Sequence, residues 1–183
     1  MMRVLVLGLL LVLAACGKEQ QAAAPPPATI TAEAVGHYCG MALADHPGPK
    51  GQIVTKGKKE PYWFSSARDT LAFTMLPEEP KDIAAIYVTA MDKTKDWDKP
   101  GQESWVDARS AAYVVGSDAR GGMGQSEVVP FSSPDAARHF VAEHGGKVMS
   151  FDQVPKDVVL GEDTPAMQAQ TPDKHGKHPQ DHK

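Results

Sequence analysis

The stretch WFSSARDTLAFTML, Trp63 to Leu76, returns as PFSSPDAARHFVAE, Pro130 to Glu143, at a constant offset of 67 residues. In each copy a phenylalanine, Phe64 or Phe131, precedes a serine pair and then a run of helix-forming residues. Ser66 and Ser133 stand where a hydroxyl would cap the first free backbone N–H groups of a helix. Pro134 would fall in the first helical turn, where its missing N–H costs nothing, and Gly145-Gly146 is a left-handed stop signal. Apolar residues recur at helical spacing, Leu71 and Met75 in the first copy and Ala137, Phe140 and Val141 in the second.

Strand patterns flank both copies. GQIVTK (51–56) and PYWFS (61–65) are joined by GKKE, a hairpin signal, and IAAIYVT (83–89) follows the first helix. AAYVVGS (111–117) and EVVPF (127–131) are separated by DARGGMGQ, and KVMSF (147–151) follows the second. The order ββαβ therefore occurs twice. It predicts an α+β domain over 29–161, with halves at about 45–92 and 104–155, each a short antiparallel sheet covered by one helix.

Working outward, the chain opens MMRVLVLGLLLVLAAC: one arginine, an apolar run from Val4 to Ala15, then a cysteine. The run is shorter than the ~20 residues a spanning helix needs, so residues 1–15 read as a secretory signal. L-A-A-C looks like a lipobox, which would make Cys16 the acylated first residue of the mature chain; a plain signal peptide or an uncleaved anchor is the alternative. Residues 16–28 then form a lipidated cysteine and a polar, Pro-rich flexible tether. Gly17 is not the aspartate that commonly retains lipoproteins at the inner membrane, so a periplasm-facing outer-membrane placement is favoured. From Glu162 onward, EDTPAMQAQTPDKHGKHPQDHK has no apolar periodicity and should be disordered.

The whole chain carries 19 Lys+Arg against 23 Asp+Glu, a net charge of −4 that cleavage would make −5 by removing Arg3. No basic face for nucleic acid is implied. With Cys16 committed to lipid, Cys39 is the one thiol of the body, and it cannot form an intramolecular disulfide. An unpaired thiol in an oxidising compartment calls for a reason, and metal ligation leads. Cys39 and Met41 sit two apart in HYCGM (37–41), and Met123 lies in the GGMG loop (121–124) of the second hairpin. Thiolate and thioether donors select Cu(I), whereas one cysteine and scattered histidines do not make a structural zinc set.

The competing reading of each methionine is core filler. It fits Met75 and Met149 on their periodic apolar faces better than it fits Met41 and Met123 in loops. His37 is a candidate further or outer ligand, with a solvated or capping role as the alternative, and His46 lies in a turn. His175, His178 and His182 in the tail could catch metal as an accessory. No G-x-S-x-G, phosphate loop, H-E-x-x-H or Cys-x-x-Cys occurs, so no enzyme constellation emerges.

Taken together, the lipobox cysteine, HYCGM, HPGPKGQI, PYWFSSARDTLAF, WVDARSAAYVVGS and GGMG resemble the NosL family, the lipoprotein accessory factors of nitrous oxide reductase assembly. The likeness runs from about Thr31 to Gly161. It implies a Cu(I)-binding chaperone of two ββαβ units, not an enzyme, with Cys39 and Met41 matching the family's C-G-M and Met123 the methionine of its Gly-rich loop. It also implies nitrous oxide reductase as recipient and an ABC-type membrane maturation complex as partner. The family fold is said to resemble part of the organomercurial lyases, whose chemistry needs several cysteines where this body has one. The rivals are a thiol-dependent lyase or reductase using Cys39 as nucleophile, and a metal-free docking lipoprotein in which Cys39 is buried.

Overall fold

The computed structural model describes residues 23–161. In the first half β1 (Gly51–Thr55) and β2 (Tyr62–Phe64) form a hairpin, α1 (Ala67–Met75) follows, and β3 (Ile83–Thr89) returns antiparallel beside β1. After β4 (Trp105–Asp107), the second half repeats the order with β5 (Ala112–Val115), β6 (Val129–Phe131), α2 (Pro134–His144) and β7 (Lys147–Ser150). The sheets run β2-β1-β3-β4 and β6-β5-β7. In both, the first strand of the unit lies in the middle, so the repeat is one of topology as well as of sequence.

The serine pairs act as their positions suggest. Ser66 Oγ accepts from the Asp69 N–H at 3.0 Å and Ser133 Oγ from the Ala136 N–H at 3.2 Å, each worth about 1 kcal/mol of helix stability. Helix α2 ends at Gly145, whose φ of 70° would strain a residue with a Cβ and whose N–H donates to the Val141 carbonyl at 2.9 Å.

Strand β5 explains how the halves join. Its side chains alternate, as the pleat demands, and both faces are buried. Tyr113 and Val115 enter the core built by Ile53, Phe64, Leu71, Phe73 and Ile86 of the first half, while Ala112 and Val114 pack with Phe131 and Ala137 under α2. The back face of the first sheet is covered differently. There Ala34 and Leu43 of the N-terminal segment bury Trp63 and Trp105, whose rings lie 6.3 Å apart. That segment carries Cys39 across the sheet.

Three features depart from expectation. Trp105–Asp107 was assigned to the second half by the boundary at 104, yet β4 pairs with β3, Val88 facing Val106, because Trp105 is buried against Trp63. A five-residue helix, α3 (Lys156–Leu160), seats Val159 in the core beside α1; it is too short to show a period in sequence. The last residues of the expected tether are pinned: buried Gln52 accepts from the Ala28 N–H at 2.7 Å and donates to its carbonyl at 3.0 Å, and Tyr87 Oη donates to the Pro25 carbonyl at 2.6 Å. Prolines lack N–H groups but leave carbonyls free, and the body uses them. The signal at 1–15, the anchor Cys16 and the tail at 162–183 lie outside the described residues. Among those described, no helix is long and apolar enough to cross a membrane.

Candidate metal centre

The HYCGM segment is a tight loop closed at its base by the Val35–Ala42 bridge and the Gly36 N–H to Met41 carbonyl bond of 2.9 Å. Gly40, at φ 65°, turns the chain back and donates to the Gly36 carbonyl at 2.8 Å. The loop is fastened to the end of β2 by the His37 N–H to Trp63 carbonyl bond of 2.7 Å. His37 does not turn toward the thiol's neighbour Ser65. Its ring packs edge-on to Tyr62, Phe64 and Phe73 at 5.0, 5.9 and 5.5 Å, and its Nε2 lies 3.2 Å from Glu79 Oε1, which also accepts from Tyr38 Oη at 3.0 Å. His37 is thus a pin that holds the loop.

Cys39 is half-buried and lies against the first serine pair, with Sγ 3.6 Å from Ser65 Oγ. A Cβ on Gly36 would stand 2.5 Å from the same sulfur, so only glycine leaves room for it. Ser65 also lines a cleft of about 240 Å3 whose opposite wall is the Gly121–Glu127 stretch with Met123. Ser65 is therefore shared: the Cys39 thiol of the N-terminal segment touches it, and Met123 of the second half lines the same cleft. Met41 and Met123 are 41% and 56% exposed, and with Val35 and Tyr38 they are the exposed large hydrophobic side chains of the described residues. Both thioethers are open to solvent. Met75 and Met149, expected in the core, are partly buried against it.

Beneath the Met123 loop lies a polar floor that sequence reasoning did not single out. Glu127 is 3% exposed, and one of its oxygens accepts from the Arg68 N–H of α1 at 3.1 Å and from the Val128 N–H at 2.9 Å. Burial raises its carboxyl to about 8 despite these bonds. Lys50, also buried, donates from Nζ to the Gly48 carbonyl at 2.6 Å, and burial lowers it to about 8. His46, expected in an open turn, is buried with Nε2 unpartnered in the protein, and a Cβ on Gly122 would stand 2.5 Å from its Cβ. The available signal was the density of glycines opposite these residues, which marks close backbone approach. Among the described residues no three His, Cys, Asp or Glu side chains converge as a metal set, so a hard or borderline ion has no ready cage, whereas sulfur donors are at hand.

The same fold occurs in a solved protein: the crystal structure of the copper chaperone NosL from Shewanella denitrificans superposes with a TM-score of 0.67 at 34% identity, over 72% of this chain and 98% of that one. The chain belongs to the NosL family, whose model matches residues 27–159. Two proteins named copper-binding lipoprotein NosL are similar to it. The one from Achromobacter cycloclastes is 44% identical over 86% of this chain and 81% of its own length, and the one from Stutzerimonas stutzeri 38% over 72% and 66%.

Proposed function

We propose that this chain is a lipid-anchored copper chaperone that holds one Cu(I) on Cys39, Met41 and Met123 and passes it to nitrous oxide reductase during assembly, together with an ABC-type membrane complex. The observation that carries the reading is Ser65, whose Oγ lies 3.6 Å from the half-buried Cys39 thiol and which lines the same cleft as the exposed Met123. The names of the relatives, copper-binding lipoprotein and copper chaperone, support the cargo and the anchor. Cys16 is the acylated residue in this reading, with the body facing the periplasm. The recipient and the maturation complex are carried by the family resemblance.

Delivery works by ligand exchange. A thiolate and two thioethers on surface loops leave the ion with an open side, so an acceptor ligand enters before a donor leaves. The exposed thioethers dissociate first because a neutral sulfur holds the ion less strongly than an anionic one. The polarised Cys39 thiolate remains last, and Ser65 Oγ stands ready to donate to it as copper departs.

The test is a competition titration of the soluble body, residues 17–183, against a Cu(I) chelator. One ion per chain is expected. Cys39→Ser should lose more than the roughly 10–100-fold typical of losing an outer-sphere partner, since a hydroxyl is a poor soft donor. Unchanged affinity in Cys39→Ser would remove the site.

A further inference from the structure

Glu127 is a buried carboxylate that the copper chemistry does not use. It also touches both walls of the cleft. It belongs to the second half, yet it accepts the Arg68 N–H at the start of α1, directly after the Ser65-Ser66 pair. Its other oxygen faces Gly121, where a Cβ would stand only 2.4 Å from it. Gly121 begins the turn that presents Met123, closed by the Gly121 N–H to Gln125 carbonyl bond of 3.0 Å and the Gly124 N–H to Gly121 carbonyl bond of 2.9 Å.

We infer that Glu127 is a positioning residue for copper binding: clamped between the first turn of α1 and Gly121, it sets the distance from Met123 to the Cys39–Ser65 side of the cleft. The inference rests on the reading that Met123 is a copper ligand. The turn's own backbone bonds fix its shape, but with three glycines in four residues it has few side chains to seat it against the first half. Beside His46 packed at Gly122, Glu127 supplies a constraint that reaches α1, since its two backbone bonds fix one oxygen and leave the other as a stop against the loop. A bulkier residue at 121 or a shorter one at 127 breaks the same gauge from opposite sides.

The test is a mutant cycle read by Cu(I) competition and by X-ray absorption on the loaded protein. Met123→Leu comes first: if it leaves affinity and sulfur count unchanged, the three-sulfur reading of the site is wrong and this inference falls with it. Given an effect there, Glu127→Ala should weaken Cu(I) binding roughly tenfold, the lower end for an outer partner, and remove one sulfur neighbour. In the Met123→Leu background it should add nothing. Gly121→Ala, which keeps the carboxylate but pushes on it, should weaken binding in the wild type and be harmless in Glu127→Ala. Glu127→Gln keeps the accepting oxygen and should stay within about twofold of wild type, which also serves if Glu127→Ala fails to fold. Additive losses of Glu127→Ala and Met123→Leu, or a Gly121→Ala effect that persists without Glu127, would overturn the assignment.

Discussion

The two Phe-Ser-Ser-helix copies are alike in sequence and in local structure, and they do different work. In the first, the leading serine, Ser65, is buried against Cys39, and α1 buries Ala67, Thr70, Leu71, Ala72 and Phe73. In the second, Ser132 donates from its backbone N–H to Asp92 Oδ1 at 2.7 Å and from its hydroxyl to the same carboxylate, and α2 fully buries only Ala137. Each helix start receives a carboxylate from the other half: Glu127 reaches Arg68, and Asp92 reaches Ser132. The two units thus share their caps and their topology. The copy packed between the first sheet, α3 and the second half is the one against which the N-terminal segment lays its thiol.

That asymmetry predicts unequal costs for equal mutations. Phe73 is fully buried, while its repeat counterpart Phe140 is only partly so, stacked against Trp97 and His144. Phe73→Ala should cost ~3–5 kcal/mol, the range for a large core aromatic, and Phe140→Ala clearly less. Denaturant unfolding of the two variants measures this. Equal losses would mean that the surface copy is as deeply packed as the first.

A pH series probes the first helix start, because the buried acid it meets has a displaced proton equilibrium. Glu127 goes from 4.5 to about 8 on folding, pushed up by burial and by Asp69 and opposed by its backbone bonds and Lys50. A carboxyl raised in this way contributes stability that is complete below its unfolded value and is lost as pH rises through its folded value. The melting temperature of the wild type should therefore fall, relative to Glu127→Gln, between about pH 4.5 and about pH 8. Parallel curves for the two proteins would show that Glu127 is ionised in the fold. The smallest effect belongs to the caps: Ser66→Ala and Ser133→Ala should each lose about 1 kcal/mol, nearly the same in both copies, since the hydroxyl geometry is shared.

Legibility in sequence followed the range of the interactions. The serine caps, the glycine stop and the hairpins are set by residues a few positions apart, so the double ββαβ order was readable. The allegiance of β4 was not, because it depends on Trp105 finding Trp63 in another strand. The proposed donors were visible as chemistry: one thiol, and thioethers among glycines. Their setting was not. Glu127 looks in sequence like a charge before an apolar strand, and its role arises from an N–H 59 residues away. His37 looks like a ligand beside a cysteine, but the aromatic rings of β2 and α1 and the Glu79 carboxylate claim it.

If the two halves meet at one copper ion, X-ray absorption at the copper edge of the Cu(I)-loaded body will count a donor from each. Three sulfur neighbours are expected in the wild type and two in Met123→Leu, a nearly isosteric change that should cost under ~1.5 kcal/mol in stability. Met75→Leu, a change at the core, should keep all three. A wild-type spectrum with a single sulfur, or identical spectra for the wild type and Met123→Leu, would contradict a shared site and leave the second half without a part in holding the metal.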